Sequence, residues 1–367
     1  MHRSHLIRLY PNERQKVLLA KTAGAARYCY NWGLSKWDEM HKRGEPCNQY
    51  ILSRLWTKEK PAWATEINRL AQTKALLNLG GAFFAFFKGK KKHPTFHKKG
   101  RNDSFYADCV HNYFKDDNTL FIQKIGCIRT AEKLRFQGKI KRFVLSHKAG
   151  RWYVGVTVEL DKDIVYTSST SSVGVDVGSK HLGVTSDGIV LDRPRQLLKI
   201  EAQIRHARRV HSRRKKGSKN REKARLRIAR LYAKATRIKL DATHKFTANI
   251  AKNHGIVCCE DLNVAKMFMS KLKSKRKAAH NSYMTEIRRQ LSYKAVHYVE
   301  INRMYPSSKT CSNCGHKHDD LTLNDRTYVC PECGFTLDRD LNAAINIRNE
   351  GMRIFTEGHS ESACGGR

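Results

Sequence analysis

The chain has 367 residues, which predicts two or three domains, and 40% of its residues are hydrophobic, which excludes a globally disordered protein. Its 71 Lys and Arg against 33 Asp and Glu give a formal net charge of +38 (71 − 33), far more than solubility requires. Such a charge indicates a polyanionic partner, nucleic acid before a membrane surface. Without a bilayer-spanning apolar stretch or a signal-peptide core, we expect a cytoplasmic protein, associated with the nucleoid when bound to DNA.

The first segment, residues 1–87, is predicted to be mostly helical. Apolar or small residues recur there at helical spacing, at Leu19, Ala23, Ala26, Tyr30, Leu34 and Trp37. A basic loop follows at 88–101, with Lys and Arg interleaved with Phe96, Pro94 and two histidines. It is either a solvated loop or one that contacts phosphates, and the net charge favours phosphate contact.

Residues 102–168 are predicted to form strands. Between Trp152 and Leu160 apolar side chains recur at every second position, the period of a half-buried strand. Phe121–Ile122 and 143–145 look like its partners, so a small barrel or a sandwich is expected. A polar, Ser- and Thr-rich linker then runs over 161–172.

The second half begins with an apolar strand over Ser172–Gly178 that contains one acid, and a short strand follows over 182–185. The stretch 197–252 predicts two basic helices separated at Gly217–Ser218, and from Arg205 to Arg230 13 of 26 residues are Lys or Arg. These helices either present a solvated face or lie along a phosphate backbone, which we favour. Further predicted elements are a buried strand at 255–260, helices at 281–297 and 338–349, and a flexible tail at 351–367.

Four of the 11 cysteines form two CxxC pairs separated by fifteen residues: Cys311, Cys314, Cys330 and Cys333. This spacing is typical of a zinc ribbon, and Gly315 and Gly334 permit the tight turns after each pair. A redox disulfide and an iron–sulfur cluster are the alternatives, but one CxxC suffices for redox chemistry. We therefore predict one structural Zn²⁺, because four thiolates leave no open position. The other cysteines are expected to be core residues or free thiols.

Three acids lie in unusual settings. Asp176 interrupts an apolar strand, Glu260 ends another, and Asp340 begins an amphipathic helix. Each alone could be a solvated strand end or a helix cap, and Asp338 is the better N-cap candidate. Together they match what an RNase H-like site requires, in which carboxylates hold two Mg²⁺ ions about 3.5–4 Å apart.

The order of these motifs resembles the transposon-encoded TnpB (OrfB) family over almost the whole chain. The resemblance is carried by segments at 174–183 with 186–188, 260–263 and 338–347, by the zinc-ribbon entrance at 307–315, and by 10–15, 25–32 and 94–99. It implies an α+β multidomain fold. Residues 1–168 would be a wedge β-barrel with a helical recognition insertion at about 12–87. Residues 169–350 would be an RNase H-like (RuvC) domain with basic helices at about 197–252 and a zinc ribbon at about 305–337.

The same resemblance implies an RNA-guided, Mg²⁺-dependent DNA endonuclease related to type V CRISPR effectors. Its guide RNA would come from the transposon end, and its target would be double-stranded DNA beside a short motif read by protein. Residue by residue, Asp176, Glu260 and Asp340 match the family's catalytic acids; Asp340 is preferred to Asp338 because it precedes Asn342 by two positions. The nucleic-acid contacts nominated are Gln72, Phe96, Lys98, Lys99, Arg208, Arg209, Arg213 and Arg214. A nuclease-silent repressor and a transposase are the alternatives.

Overall fold

The computed structural model describes residues 1–101, 103–161, 166–178, 181–262, 269, 283–322 and 325–364, with side chains up to 357. Three motif residues, Ser179, Lys180 and Asn263, lie outside these ranges, as do the last three residues of the predicted tail. The chain forms two compact units, Met1–Asp163 and Ile164–Arg367. No helix within the described ranges is both long enough and apolar enough to cross a bilayer.

The first unit places its helices between two strands of its sheet. Strand β1 (His2–Tyr10) is followed by helices α1 (Glu13–Lys42), α2 (Gln49–Glu59) and α3 (Arg69–Phe87), with a 3-10 turn at Ala62–Glu66. Helix α1 begins directly after its N-cap residue Asn12, because the Asn12 side chain accepts from the Gln15 backbone while the Gln15 side chain accepts from the Asn12 backbone. All six residues of the predicted helical stripe are buried in α1, so that prediction is confirmed.

The sheet of the first unit has seven strands in the order β2-β6-β7-β1-β5-β4-β3. The remaining strands are β2 (Ser104–Ala107), β3 (Tyr113–Asp116), β4 (Thr119–Ile122), β5 (Gly126–Thr130), β6 (Gly138–Lys148) and β7 (Arg151–Leu160). The predicted alternation in β7 is confirmed, since Trp152, Val154, Val156 and Val158 are all buried. The predicted closed barrel is wrong for the described residues, because the short strands β2 and β3 end the sheet without pairing to each other.

Strand β1 was not anticipated, although its sequence contains the signal. His5, Ile7 and Leu9 are buried at every second position, while Leu6 between them is 52% exposed. The strand pairs with β7 from His2 to Arg8 and then with β5 at Leu9 and Tyr10. The N-terminal segment therefore joins the two halves of the sheet before the helices begin.

The second unit has a five-stranded mixed sheet in the order β10-β9-β8-β11-β12. Its strands are β8 (Ser172–Asp176), β9 (Gly183–Thr185), β10 (Val190–Leu191), β11 (Ile256–Glu260) and β12 (His297–Ile301), and its first helices are α4 (Arg195–Arg213), α5 (Lys219–Asn253) and α6 (Met284–Lys294). Strands β8, β11 and β12 run parallel, so their carboxyl ends lie at the same edge of the sheet. The break between α4 and α5 is confirmed, with Gly217 at φ +81° and Ser218 capping α5.

The C-terminal helix corrects two predictions. Strands β13 (Thr327–Val329) and β14 (Thr336–Asp338) form a hairpin, and helix α7 (Arg339–Cys364) follows directly. The predicted helix was to end near residue 349 in a flexible tail, but α7 continues to Cys364. Tertiary packing explains the extension, since Met352, Ile354 and Phe355 pack against the buried Ile256, Cys258 and Ile301 of the sheet. Of the predicted helix at 281–297, residues 281 and 282 lie outside the described ranges; α6 spans Met284–Lys294, and His297 begins strand β12.

Candidate active site and metal centre

The three acids nominated from the sequence line one cavity of about 320 Å³ in the second unit. Asp176 and Glu260 are the last residues of the adjacent parallel strands β8 and β11. Because the preceding residues Val175 and Cys259 are opposite each other, the two acids lie side by side at the same edge of the sheet. Asp340 lies in the first turn of α7. The structure therefore brings together residues that are up to 164 positions apart (340 − 176).

Helix α7 reaches Asp176 because strand β8 has a glycine where the two elements meet. A Cβ atom on Gly174 would lie 2.0 Å from the carbonyl oxygen of Ala344 and 2.5 Å from the backbone nitrogen of Arg348. Only glycine allows this separation of strand and helix, since both obstructing atoms belong to the backbone. The close approach fixes the distance between the strand that carries Asp176 and the helix that carries Asp340.

Burial, and then the charges of Asp340 and Glu260, raise the pKa of Asp176 to about 7. Burial likewise raises the pKa of Glu260 to about 7, although the charge of Arg288 opposes the shift. Uncompensated carboxylates in a cavity are costly, and a bound cation would relieve that cost. The oxygen donor set suits a hard ion such as Mg²⁺.

Arg288 supports the end of strand β11. Its guanidinium donates to the Leu262 carbonyl at 3.0 Å, to the Asp261 carboxylate at 3.0 Å and to Glu300 at 2.8 Å. Arg303 also donates to Asp261, which fixes the turn directly after Glu260. The spacing of residues along the sequence gives no sign of this network, because its members come from the turn after β11, from α6, from β12 and from the loop after β12.

Two further arginines, Arg326 and Arg339, line the same cavity. Arg339 donates to the Thr322 carbonyl at 3.0 Å, and its Nε lies 4.0 Å from the Asp340 carboxylate. Sequence analysis missed both, although Arg339 stands between the two acids considered for the third position. Asp338 is exposed and accepts from the backbone N–H groups of Asp340 and Leu341, as its predicted capping role requires.

The four predicted zinc ligands lie close together beside helix α7, which carries Asp340. Their sulfur atoms all lie within 4.8 Å of one another, with 3.7 Å between Cys311 and Cys333 and 3.6 Å between Cys314 and Cys330. Four sulfurs about 2.3 Å from one tetrahedral ion would be about 3.8 Å apart, so the group fits Zn²⁺. Gly315 and Gly334 have φ of +78° and +69°, as the tight turns require. Among the described residues, these four cysteines are the one group of three or more His, Cys, Asp or Glu side chains whose ligand atoms lie this close together.

The nominated nucleic-acid contacts have mixed outcomes. Gln72 is 2% exposed, and its amide accepts from Trp56 Nε1 at 2.9 Å and donates to the Ala64 carbonyl at 2.7 Å. Both ends of this amide are bonded inside the helical insertion, and the nomination of Gln72 as a nucleic-acid contact stays a prediction. Phe96 is 57% exposed, and the other nominated side chains are also exposed: Lys98, Lys99, Arg208, Arg209, Arg213 and Arg214.

The basic helices α4 and α5, which carry the four nominated arginines, pair through an apolar seam. Leu197, Ile200 and Ile204 of α4 pack with Ala235 of α5, and the four nominated arginines remain exposed. Arg208 lies over the ring of Tyr232 on α5, with its guanidinium carbon 5.9 Å from the ring centroid. Arg214 also donates to the Asn220 carbonyl at 3.0 Å and closes the turn between the helices. The helix pair is thus a rigid support for exposed positive charge.

Three family profiles match the chain. One described as "Probable transposase" matches residues 155–271, one described as "Cas12f1-like, TNB domain" matches 285–347, and one described as "Helix-turn-helix domain" matches 1–46. A protein of Streptomyces pristinaespiralis named "Putative RNA-guided DNA endonuclease" is 32% identical over an alignment of 384 positions, which covers 99% of this chain and 91% of that protein. The chain belongs to the TnpB (OrfB) family.

A second TnpB-family relative, named "Putative RNA-guided DNA endonuclease InsQ" in Escherichia coli K12, is 27% identical over 97% of this chain and 92% of its own length. A solved structure described as the mini-RNA-guided endonuclease CRISPR-Cas phi3 matches 96% of this chain and 92% of its own, with 10% identity and a TM-score of 0.49. The match to a helix-turn-helix profile is not reflected in this TnpB structure, where residues 1–46 form strand β1 and one long helix.

The raised pKa values predict how metal-free stability depends on pH. Both acids hold protons more tightly in the folded chain than in the unfolded chain, so their contribution to stability is full below about pH 4 and is lost as the pH rises through about 7. We expect Asp176→Asn to raise the melting temperature of metal-free protein at pH 8 by several degrees, and to change it little at pH 4. Mg²⁺ should stabilise the unsubstituted protein and not the variant at pH 8. Thermal denaturation measures both effects, and Asp241→Asn, at an exposed position of α5, is the control.

Proposed function

We propose that this protein is an RNA-guided, Mg²⁺-dependent DNA endonuclease with Asp176, Glu260 and Asp340 as its catalytic carboxylates. The observation that carries the proposal is the convergence of these three acids in one cavity, two of them with pKa values raised to about 7. On this proposal residues 169–350 are an RNase H-like (RuvC) nuclease domain, and residues 1–168 recognise the guide and the motif beside the target. Four-cysteine ligation of one structural Zn²⁺ completes the nuclease domain.

The carboxylates would hold two Mg²⁺ ions, which supply an activated water and stabilise the leaving 3′ oxygen in phosphodiester hydrolysis. A bound cation would favour the ionised forms of Asp176 and Glu260, whose pKa values are raised to about 7 in the metal-free chain. Arg326 and Arg339 bring positive charge to the same cavity, where it can balance the phosphate of a bound strand.

The proposal for nucleic-acid partners is supported by the net charge of +38 and by relatives named as RNA-guided DNA endonucleases. Base pairing with a guide RNA, transcribed from the transposon end, would select the DNA target, so the protein needs only backbone contacts and a short adjacent motif. The exposed residues Phe96, Lys98 and Lys99 remain the proposed contacts of the first unit.

Purification from cells that express the whole locus tests this function. A discrete RNA should copurify, and the complex should cut a matched double-stranded DNA in Mg²⁺ beside one fixed motif. Protein without a discrete RNA, or a complex that binds the target and never cuts it, would refute the proposal. The second outcome would favour a silent repressor, whereas strand joining in place of hydrolysis would favour a transposase, the activity in the description of the profile at 155–271.

The basic helix gives a prediction about salt. Replacing Arg208, Arg209, Arg213 and Arg214 together by alanine should reduce the slope of log affinity against log salt by about 3, because each lost phosphate contact removes about 0.7–0.9. Filter binding of the copurified RNA between 50 and 300 mM salt measures the slope.

A matched control replaces four exposed lysines of the first unit: Lys115, Lys133, Lys139 and Lys148. An equal change in slope for the control would mean that helix α4 contributes no more to RNA binding than the exposed lysines of the first unit do. An unchanged slope for the arginine variant would mean that this helix is a solvated face.

A further inference from the structure

Two asparagines on α7 are buried although their side chains are polar. Asn342 is fully buried and Asn346, one turn later, is 3% exposed. Burying an amide is unfavourable unless its groups are hydrogen-bonded, so the partners of these side chains indicate what they do. The catalytic proposal above uses neither residue.

Both amides bind the backbone of one segment, 307–312. Asn342 accepts from the Ser312 N–H at 3.0 Å and donates to the Thr310 carbonyl at 2.7 Å. Asn346 donates to the Thr310 carbonyl at 2.7 Å and to the Ser307 carbonyl at 2.8 Å. Three backbone groups of this segment are thereby fixed to one face of the helix.

The segment connects the two candidate metal sites. Ser307 and Ser308 line the cavity that contains the three carboxylates. Ser312 lies inside the first cysteine knuckle, between the zinc ligands Cys311 and Cys314. The helix that carries both asparagines also carries Asp340, two residues before Asn342.

We propose that Asn342 and Asn346 are positioning residues that couple the zinc knuckle to the carboxylate site. Zinc orders the knuckle, the knuckle holds the first turns of α7 through the two amides, and those turns hold Asp340 against Asp176. The contact of Gly174 with the Ala344 backbone fixes the same helix from the sheet side, so the amides determine its position on the ribbon side. The inference rests on the proposed function, because the carboxylates must bind the catalytic cation.

The test measures two metals in the full-length protein. Zinc release is followed with a chromogenic chelator, and Mn²⁺, as a substitute for Mg²⁺, is titrated by electron paramagnetic resonance. Asn342→Ala leaves the Ser312 N–H without its partner, so we expect zinc release to be about 10- to 100-fold faster, the usual effect of losing a residue that supports metal ligands. Asn349→Ala, at an exposed position of the same helix, is the matched control and should behave like the unsubstituted protein.

The coupling is measured with a thermodynamic cycle: Mn²⁺ affinity is determined with and without zinc, in the unsubstituted protein and in the asparagine variants. Removing zinc should weaken Mn²⁺ binding to the unsubstituted protein about 5-fold or more. In the Asn342→Ala/Asn346→Ala protein, Mn²⁺ binding should already be weak with zinc bound, and zinc removal should change it little. Asn342→Asp keeps the acceptor for the Ser312 N–H and loses the donor to the Thr310 carbonyl, so its Mn²⁺ affinity should be intermediate. This variant replaces the double variant in the test if the double variant does not fold.

Two results would overturn the coupling: Mn²⁺ affinity that is unchanged in the asparagine variants, or zinc removal that weakens it equally in all proteins. Either would leave the amides with a purely structural role in the ribbon. Failure of the proposed function looks different, since unsubstituted protein would then bind Mn²⁺ and cut no guided target. If the unsubstituted protein cuts a guided target, but zinc removal and the asparagine substitutions weaken Mn²⁺ binding independently of each other, only the coupling is refuted.

Discussion

Asp176→Ala, Glu260→Ala and Asp340→Ala are each expected to reduce guided DNA cleavage at least about 10³-fold while leaving guide and target binding intact. Binding depends on base pairing and on cations that contact phosphates, whereas cutting needs metal ions held by all three carboxylates. Uncatalysed phosphodiester hydrolysis is very slow, so residual product should be undetectable in an ordinary gel assay. Cleavage and filter binding measured on the same preparations separate the two effects.

Asp338→Ala is the matched control, because it removes the neighbouring acid that caps α7. Losing the two hydrogen bonds that Asp338 accepts should cost about 1 kcal/mol of stability and much less activity than losing Asp340. The reverse order would show that Asp338 is the metal ligand. Full cutting by Asp176→Ala would exclude the RuvC mechanism altogether.

Cleavage is also expected to depend on which divalent ion is present. Ca²⁺ should support target binding and not cleavage, because its looser coordination does not position the attacking water as Mg²⁺ does. Equal cleavage in the two ions would argue against a site that demands strict octahedral geometry.

Replacing one zinc ligand, as in Cys330→Ser, is expected to abolish zinc retention and unfold the ribbon over about 305–337. The ribbon's core is small: among its described residues the buried apolar ones are Cys311, Tyr328 and Cys330, so metal ligation is expected to supply most of its stability. Apparent zinc-binding free energies of about 10–16 kcal/mol for such sites exceed what so small a core provides. Metal analysis and limited proteolysis of the full-length protein measure both effects.

Cys127→Ser is the control for that substitution, since Cys127 is exposed and lies in strand β5 of the other unit. It should retain one zinc per chain and the same protease pattern. Well-folded unsubstituted protein without zinc would refute the ribbon's metal, and equal zinc content in Cys330→Ser would show that this cysteine is not a ligand.

Local patterns in the sequence determined much of the secondary structure. The helical stripe from Leu19 to Trp37, the alternation in β7 and the break at Gly217 each depend on neighbours within a few residues, and each appears in the structure as predicted. The two CxxC pairs and their glycines likewise predict a compact four-sulfur group, because the spacing alone limits the turns that can form. Strand β1 had such a local signal as well, which was overlooked.

The tertiary structure alone decided whether the sheet closes, how far α7 extends and what fixes the acids in place. Among the described residues the edge strands β2 and β3 do not pair with each other, and whether they do depends on distant segments, which no local period encodes. Helix α7 continues past Gly351 because that glycine lies against the buried Cys258, so packing outweighs its poor helix propensity. Gln72 shows the same limit, because only the packed helices reveal that its amide is bonded to Trp56 and Ala64. The sequence alone could nominate Asp176, Glu260 and Asp340, but Arg288, Asn342 and Asn346 could be recognised only once strands and helix were packed together.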